Sequence, residues 1–200
     1  MSEASSDQGY KTVFTIGHSN HSMSAFLELL RQHDIDVLVD VRSSPFAKYS
    51  TQFDQDNLRS AISNVGPKYL FLGRELGGKP KDESYYDEEG HVLYWKISAS
   101  ELFKQGMKRL LNGISSYRIA LMCAEENPTS CHRRLLITRV LTESGAHVTH
   151  IRGDGSLQTE EELILALEPP AQQMNLFNDL QQADDWQSQR SVMRRRSKQA

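Results

Sequence analysis

The feature that most constrains the fold is an alternation of short apolar runs with stretches of helical periodicity. The apolar runs, each of four or five residues, lie at 13–16, 37–41, 69–72 and 119–122, and Val148, His150 and Ile151 suggest a fifth strand. Between the first two, Met23, Phe26, Leu27 and Leu30 recur at the spacing of one helix face. Strands that alternate with helices form parallel sheets covered on both faces. The alternation therefore predicts a three-layer α/β fold with an open, mostly parallel sheet of about five strands.

The pattern occupies one domain with a tail at each end. The chain has 200 residues, which suits one domain of ordinary size. Residues 1–10 are small and polar and are expected to be disordered. The α/β domain is assigned to 11–168, and a flexible tail begins at Pro169 and continues to the last residue. An insert at 73–98 shows no clear period, and a structureless insert of this length is more often functional than decorative.

Net charge and the lengths of the apolar runs exclude two classes of protein. The formal net charge is −3, so the chain is not a polycation that binds nucleic acid by bulk charge. Five basic and three acidic residues give the tail 169–200 a charge of +2 and leave −5 on residues 1–168. No apolar run approaches the roughly 20 residues of a membrane span, and the N-terminus lacks a signal-peptide pattern. We therefore expect a cytoplasmic protein with no membrane partner, whose two cysteines do not form a disulfide scaffold.

The candidate catalytic residues lie where the predicted strands end. In open α/β sheets, ligands bind at the carboxyl ends of the strands. Glu125 lies just beyond the fourth strand and can act as a general base or a nucleophile. Asp40 ends the second strand, His18 follows the first, and Cys131 begins a helix whose positive end would lower the cysteine's pKa. Each of these three has a structural alternative: an internal ion pair for Asp40, a helix cap for His18 and simple packing for Cys131.

The segment after the fourth strand predicts an anion site. A helix that starts at 128–130 carries His132 and Arg133 in its first turn, where free N–H groups and the helix dipole favour an anion. The candidate anion-binding residues are Ser19, Arg42, Arg74, His132 and Arg133. Alternatively, the arginines of this turn pair with neighbouring carboxylates, Asp40 or Glu125.

Several familiar site patterns do not fit the chain. Cys123, Cys131, His132 and His18 can in principle bind zinc, but Cys-x7-Cys-His is not a usual ligand spacing. Cys123 also lacks the arginine five or six residues downstream that a rhodanese or a Cys-x5-Arg phosphatase loop needs. No dinucleotide fingerprint and no P-loop lysine occur in the sequence. We therefore predict no metal and no cofactor.

Several motifs together resemble one known family. They are Thr15-Ile16-Gly17-His18-Ser19, Asp40-Val41-Arg42 with Pro45, Leu76-Gly77-Gly78, and Met122-Cys123-Ala124-Glu125 with Cys131-His132-Arg133. In this order, from about Val13 to Ile151, they resemble the hallmark motifs of the domain of unknown function 488 family. The resemblance implies a mostly bacterial, cytoplasmic, Rossmann-like domain whose shared site includes His18, Ser19, Asp40, Arg42, Glu125, Cys131, His132 and Arg133. The family name supplies no reaction.

The tail carries a second resemblance. Gln173-Met174-Asn175-Leu176-Phe177 is similar to the bacterial sliding-clamp-binding pentapeptide. In such a peptide, Leu176 and Phe177 would fill an apolar pocket, Met174 would supply the medium apolar residue and Gln173 would fix the register. Alternatively, 174–180 forms a short helix that folds back onto the domain. The chain end from Arg190 has five cations and no acid, which suits either contact with a phosphate backbone or simple solvation.

Together these features predict a DNA-processing or DNA-repair enzyme that binds the bacterial sliding clamp. An anion-binding cleft at the strand carboxyl ends would hold damaged or modified DNA, and a carboxylate would cleave a glycosidic or related bond. One alternative is a hydrolase or transferase that acts on a free nucleotide or a small phosphorylated metabolite, which suits the acidic domain at least as well. Another is a non-catalytic adaptor that binds a ligand in the cleft and the clamp through its tail.

Overall fold

The computed structural model describes residues 12–46, 49–63, 66–167 and 186–193. These residues contain a six-stranded sheet with helices on both faces. The strands are β1 (Thr12–Gly17), β2 (Val37–Asp40), β3 (Lys68–Phe71), β4 (Ile119–Cys123), β5 (His147–Ile151) and β6 (Leu157–Thr159). The five predicted strands are all present, and β6 is a short addition at the edge of the sheet.

The sheet has the strand order β3-β2-β4-β1-β5-β6. The first five strands in this order are parallel to their neighbours, and β6 alone is antiparallel, to β5. The prediction of an open, mostly parallel α/β sheet is therefore confirmed. Because β2, β4 and β1 are adjacent and parallel, the loops that follow them leave the same edge of the sheet side by side.

Most of the helices lie where the spacing of apolar residues predicts them. Within the described residues they are α1 (Met23–Gln32), α2 (Gln55–Ser63), α3 (Gly73–Leu76), α4 (Tyr94–Ala99), α5 (Glu101–Gly113), α6 (Arg139–Glu143) and α7 (Glu160–Leu167). Ser22 caps α1 by accepting a hydrogen bond from the Ala25 N–H, and Phe26, Leu29 and Leu30 are the buried face of that helix. The N-cap and the 3.6-residue period, both visible in the sequence, thus account for this element.

Two apolar layers hold the sheet between the helices. On one face, α1 and α2 pack on the sheet through residues that include Phe26 and Leu58. On the other face, α3, α5 and α6 pack on the sheet, with Phe103 and Leu141 among the contacts. Successive residues of a buried strand serve opposite faces, since Leu38 belongs to the first layer and its neighbours in β2 to the second. This double coverage explains why the strands are continuous apolar runs.

The segment after β4 differs from the single helix predicted for 129–144. Asn127 caps a 3-10 turn at Pro128–Ser130, Cys131 is extended (φ −93°, ψ 140°), and a π-helical stretch, Arg133–Thr138, precedes α6. The Thr138 hydroxyl donates to the carbonyl of Arg133, five residues back, which matches the wider π turn. The predicted continuous helix is therefore wrong in its first turn, and Cys131 is not part of a helix.

The insert at 73–98 contains regular structure that its sequence does not indicate. It includes α3, a 3-10 turn at Glu83–Tyr85 and most of α4. Residues 186–193, from the segment assigned to a flexible tail, pack against it: the Ser188 N–H donates to the Val92 carbonyl and the Val92 N–H donates to the Ser188 hydroxyl. Trp186 donates from Nε1 to the Leu135 carbonyl, and the Arg139 guanidinium lies 4.4 Å from its ring centroid. This part of the chain is thus joined to the domain.

Some predictions concern residues outside those that the structure describes. The expected disorder of 1–10, the clamp-binding-like peptide 173–177 and the cations of 194–198 all lie there. Among the residues that are described, no helix has both the length and the apolar character needed to cross a membrane.

Candidate functional site

The loops after β1, β3 and β4 lie in close contact at the carboxyl edge of the sheet, and glycine makes two of these contacts possible. A Cβ atom at Gly17 would overlap the backbone carbonyl of Glu125. A Cβ atom at Gly78 would lie 2.5 Å from the Cβ of His132. Two of the motifs noted in the sequence therefore contain glycine because neighbouring chain occupies the space of a side chain.

Asp40 and Arg42 form a buried ion pair at the end of β2. Arg42 donates from Nε to Oδ1 (2.9 Å) and from Nη2 to Oδ2 (2.7 Å) of Asp40, and also from Nη2 to the Phe53 carbonyl (2.9 Å). The Tyr69 hydroxyl donates to the same carboxylate at 2.7 Å. Burial and the nearby Asp40 carboxylate raise the pKa of Tyr69. Both charged groups thus have internal partners, as the ion-pair alternative for Asp40 requires.

His18 completes this network as a neutral imidazole. It is buried and stacks on Phe53, with ring centroids 4.4 Å apart. Its Nδ1 donates to the Ser19 carbonyl at 3.0 Å, which leaves Nε2 to accept from Nη1 of Arg42 at 3.2 Å. Burial, aided by the Arg42 charge and opposed by the bond to Ser19, lowers the pKa of His18 from 6.5 to about 4. In this arrangement His18 is uncharged at neutral pH.

Ser19 joins the loops after β1 and β4 through its backbone. It has a positive φ of 44°, and its N–H donates to the Ala124 carbonyl at 2.8 Å. The preceding N–H, that of His18, donates to the Cys123 carbonyl at 2.9 Å. These two bonds continue the parallel pairing of β1 with β4 beyond the ends of the strands, so the loop that carries Glu125 is tied to the centre of the sheet.

Arg133 holds the same loop through side-chain hydrogen bonds. Its side chain is fully buried, and its guanidinium donates to the backbone carbonyls of Glu125 and Glu126. Its Nε donates to the Thr15 hydroxyl at 3.3 Å. Arg133 therefore uses its donors on backbone and hydroxyl oxygens, and among the described residues neither of the predicted carboxylate partners, Asp40 and Glu125, forms an ion pair with it.

A second buried network extends from Thr15 through β5. His150 bonds through Nδ1 to the Thr15 hydroxyl and through Nε2 to Glu160, both at 2.8 Å. Glu160 also pairs with Arg134 at 2.8 Å. Burial lowers the pKa of His150, although Glu160 opposes the shift. His150 and Glu160 were not predicted as site residues; the signal for His150 was its place between the apolar residues Val148 and Ile151, and Glu160, which begins α7, had no comparable signal.

Glu125 contrasts with these satisfied groups. It is exposed, and no described residue forms a hydrogen bond or ion pair with its carboxylate. The next residue, Glu126, is held by Arg152 (2.8 and 3.0 Å) and by the Gly153 N–H, and the bond from Arg152 is the main cause of its lowered pKa. Arg74 is also exposed and has no partner within the described residues. Glu125 is thus an available carboxylate on a loop fixed from both sides.

An open groove lies beside this loop. It has a volume of about 620 Å³ and is lined by Glu126, Arg152, Gly153, Asp154, Ser156, Leu157 and Gln158. This volume falls within the range typical of small-molecule sites. The groove begins at the residue next to Glu125 and follows the turn between β5 and β6.

Cys123, Cys131 and His132 form a compact cluster at the end of β4. Their ligand atoms all lie within 4.8 Å of one another, and Cys123 Sγ is 3.6 Å from His132 Nδ1. A hydrogen bond from Cys131, together with the Arg133 charge, lowers the pKa of Cys123, whereas burial is the main cause of the raised pKa of Cys131. The direction for Cys131 is opposite to the one predicted from a helix dipole, because this residue is buried and precedes the helical turns.

The structure brings most of the predicted site residues into one connected set. Arg42 bonds to both Asp40 and His18, Ser19 and Arg133 hold the Glu125 loop, and His132 joins Cys123 to the Val41 carbonyl. Arg74, on α3, is near but bonds to none of these residues. Gln173, Met174, Leu176 and Phe177 lie outside the described residues.

The fold and the site define a class of protein: a three-layer α/β domain with a polar site at the carboxyl ends of its central strands. Within this class, the chain belongs to the family described as Domain of unknown function DUF488, which it matches over residues 22–140, more than half of its length. The predicted family is therefore confirmed, although the Ile16–Ser19 segment precedes the matched residues. No curated protein and no solved structure matches the chain.

Proposed function

We propose that this protein is a DNA-processing or DNA-repair enzyme that cleaves a glycosidic or related bond in damaged or modified DNA, with Glu125 as its catalytic carboxylate. The observation that carries the proposal is the contrast between Glu125 and its neighbours. Its carboxylate is exposed, while Arg133 donates to its backbone carbonyl, Ser19 donates to the preceding carbonyl and Gly17 packs closely against it. A rigid loop that presents one reactive group is the arrangement that general base or nucleophilic catalysis needs.

The reaction follows from the chemistry of one carboxylate. The target nucleotide leaves the base stack and enters the site. Glu125 removes a proton from water as the water oxygen bonds to the anomeric carbon, and the base departs with the electron pair of the glycosidic bond. The base then takes up the proton that Glu125 received. His18, Asp40 and Arg42 are positioning residues in this scheme because their polar atoms are engaged with one another.

Contacts to DNA are assigned to cations outside the buried networks. Arg74 is exposed beside the site, and Lys79 and Lys81 are exposed on the insert that follows it. The segment 186–193 packs on the same insert, and four cations follow it directly in the sequence, from Arg194 to Lys198. The clamp-binding-like peptide 173–177 supports delivery to DNA by the bacterial sliding clamp. These features favour phosphate contacts of low sequence specificity.

The test is a substrate screen with a matched pair of variants. Oligonucleotides with modified bases, uracil or abasic sites are incubated with the full chain, beside free nucleotides. Glu125→Gln is expected to lower turnover by at least about 100-fold and to retain DNA binding. Glu143→Gln, an exposed carboxylate at the end of α6, is the control and leaves turnover unchanged. If no substrate is converted and no DNA is retained at low salt, the proposal is wrong.

A second candidate function is supported by the groove beside Glu126. Its size suits a free nucleotide or a small phosphorylated metabolite, and Arg152 lines it. The net charge of −5 on residues 1–168 also disfavours a long polyanion. The two candidates differ in the role of the chain end. A chain that ends at Met193 keeps the segment packed on the insert, so it loses DNA turnover if the first proposal holds and keeps full activity on a free nucleotide if the second does.

A further inference from the structure

We propose that Cys123, Cys131 and His132 are the ligands of a zinc ion whose fourth position is taken by an exogenous ligand. The three donor atoms, two sulfurs and Nδ1 of the histidine, lie within 4.8 Å of one another. The inference does not depend on the proposed function, since it concerns atoms that the cleavage scheme leaves unused.

The hydrogen bond of His132 determines which of its nitrogens faces the sulfurs. Nε2 lies 3.0 Å from the Val41 carbonyl, and a carbonyl can only accept, so Nε2 carries the proton. Nδ1 therefore presents its lone pair towards Cys123 Sγ, 3.6 Å away. A histidine that binds a metal through one nitrogen and donates to a backbone carbonyl through the other is the usual arrangement around zinc.

The distance between sulfur and nitrogen also fits a shared metal ion. Zinc binds thiolate sulfur at about 2.3 Å and imidazole nitrogen at about 2.0–2.1 Å in a tetrahedron, which separates the two donors by about 3.6 Å. The observed Cys123 Sγ to His132 Nδ1 distance is 3.6 Å. The pair is thus already spaced as two ligands of one tetrahedral centre.

Cys131 and His132 are consecutive in the chain, and both contribute donor atoms to this cluster. Cys131 is extended, after the 3-10 turn, and His132 directly precedes the π-helical stretch. Gly78 leaves room for the ring of His132, because a side chain at that position would overlap it.

The donor set and its surroundings favour zinc over harder cations. Two thiolates and one imidazole suit zinc, whereas magnesium and calcium prefer oxygen ligands. Both cysteines are buried within an apolar layer of the core. Sites with three protein ligands leave the fourth position for water or another small ligand, in contrast to closed structural sites with four.

The experiment measures metal in the full-length protein. We expect about one zinc per chain after purification or after zinc is returned to chelator-treated protein, and Co²⁺ in its place gives a thiolate-to-cobalt charge-transfer band. Cys123→Ser and Cys131→Ser remove the band. His132→Ala weakens zinc binding by more than the roughly 100-fold seen for changes outside the ligand set. His147→Gln, an exposed histidine at the opposite edge of the sheet, is the matched control.

A second measurement needs no variant and stays informative if a ligand variant fails to fold. In the native protein, zinc is expected to slow the reaction of both thiols with a thiol reagent, and a chelator restores the rate. Sub-stoichiometric zinc with no cobalt band overturns the proposal. The proposal is also overturned if zinc does not change the thiol reaction rate and peroxide forms a Cys123–Cys131 disulfide. That result would identify the two cysteines as a redox pair instead.

Discussion

The ends of β2 and β4 make an instructive comparison, because both are followed by charged residues and they differ in what those residues do. At β2, Asp40 and Arg42 bond to each other and lie in the interior. At β4, the Glu125 carboxylate is exposed, while a buried arginine holds the backbone of its loop. The charged groups at the end of β2 build the scaffold, whereas at the end of β4 one carboxylate, that of Glu125, is presented to solvent.

The difference arises from what covers each strand end. The 3-10 turn Thr51–Phe53, which precedes α2, places the buried ring of Phe53 against His18 and its carbonyl on Arg42. Among the described residues, no such turn lies over Glu125. The 3-10 turn capped by Asn127 follows it directly, and the chain is buried again at Pro128. Similar residue types thus acquire different roles from the connection that follows the strand.

The first prediction tests the scaffold at β2 and has the largest expected effect. Arg42→Met removes both bonds to Asp40 and leaves a buried carboxylate with only Tyr69 as a side-chain partner. Breaking a buried ion pair on one side costs about 3–5 kcal/mol. We expect a loss of this size in the free energy of unfolding, measured by urea denaturation.

The control for this prediction is an exposed ion pair elsewhere in the domain. Arg31 pairs with Glu28 on the solvent side of α1, and Arg31→Met is expected to change stability little because exposed pairs contribute little. If the two arginine variants unfold at similar urea concentrations, the assignment of Arg42 to the scaffold is wrong.

The second prediction concerns the pH dependence that His18 gives to the same scaffold. Its pKa is about 4 in the folded protein, below the ordinary 6.5. Between these values the unfolded chain binds the proton and the folded chain does not, so the stability present above pH 6.5 is lost as the pH falls towards 4. The full loss is about 3 kcal/mol.

Denaturation of the wild type and of His18→Asn across this pH range isolates the contribution of His18 to the pH dependence of stability. His150, whose pKa burial also lowers, is present in both proteins and cancels in the difference. The two stability curves are expected to converge as the pH falls. Parallel curves would mean that His18 has the same pKa in the folded and the unfolded protein, so that burial does not lower it.

The third prediction tests the close contact that fixes the loop after β4. Gly17→Ala places a methyl group where the Glu125 carbonyl lies. Overpacking of this kind costs about 1–3 kcal/mol. The matched control is Gly113→Ala at the end of α5, where the nearest atom is the end of the Ile119 side chain at 3.0 Å. Equal unfolding midpoints for the two variants would contradict the close contact.

The fold could be predicted from the sequence to a large extent because it depends on periodic burial. Strands buried on both faces read as apolar runs, and α1 carries both a cap and a clear apolar face. The elements that were not predicted depend on local turns or on distant contacts, and neither appears in the periodicity of apolar residues. The helix predicted from 129 is interrupted at Cys131, and the insert gains order from residues 186–193, about 100 positions further along the chain.

The candidate site was predictable in place but not in detail. Polar residues after parallel strands must meet at one edge, which explains why His18, Arg42 and Glu125 were found together. Their roles depend on partners that the sequence does not reveal, such as Tyr69 for Asp40 and the backbone carbonyls for Arg133. The linear spacing of Cys123, Cys131 and His132 is unusual for a metal site, whereas their donor atoms lie within 4.8 Å of one another in space.

The last prediction has the smallest expected effect on stability and distinguishes the two strand ends most sharply. Glu125→Gln changes an exposed carboxylate that has no bonding partner in the described part of the chain, so the free energy of unfolding is expected to change by no more than about 0.5 kcal/mol. Asp40→Asn, the same chemical change at β2, leaves Arg42 buried without its charged partner and is expected to destabilise strongly. Urea denaturation of the pair checks both statements. A Glu125→Gln variant as unstable as Asp40→Asn would make Glu125 a structural residue, because a carboxylate kept for chemistry has no stabilising contact to lose.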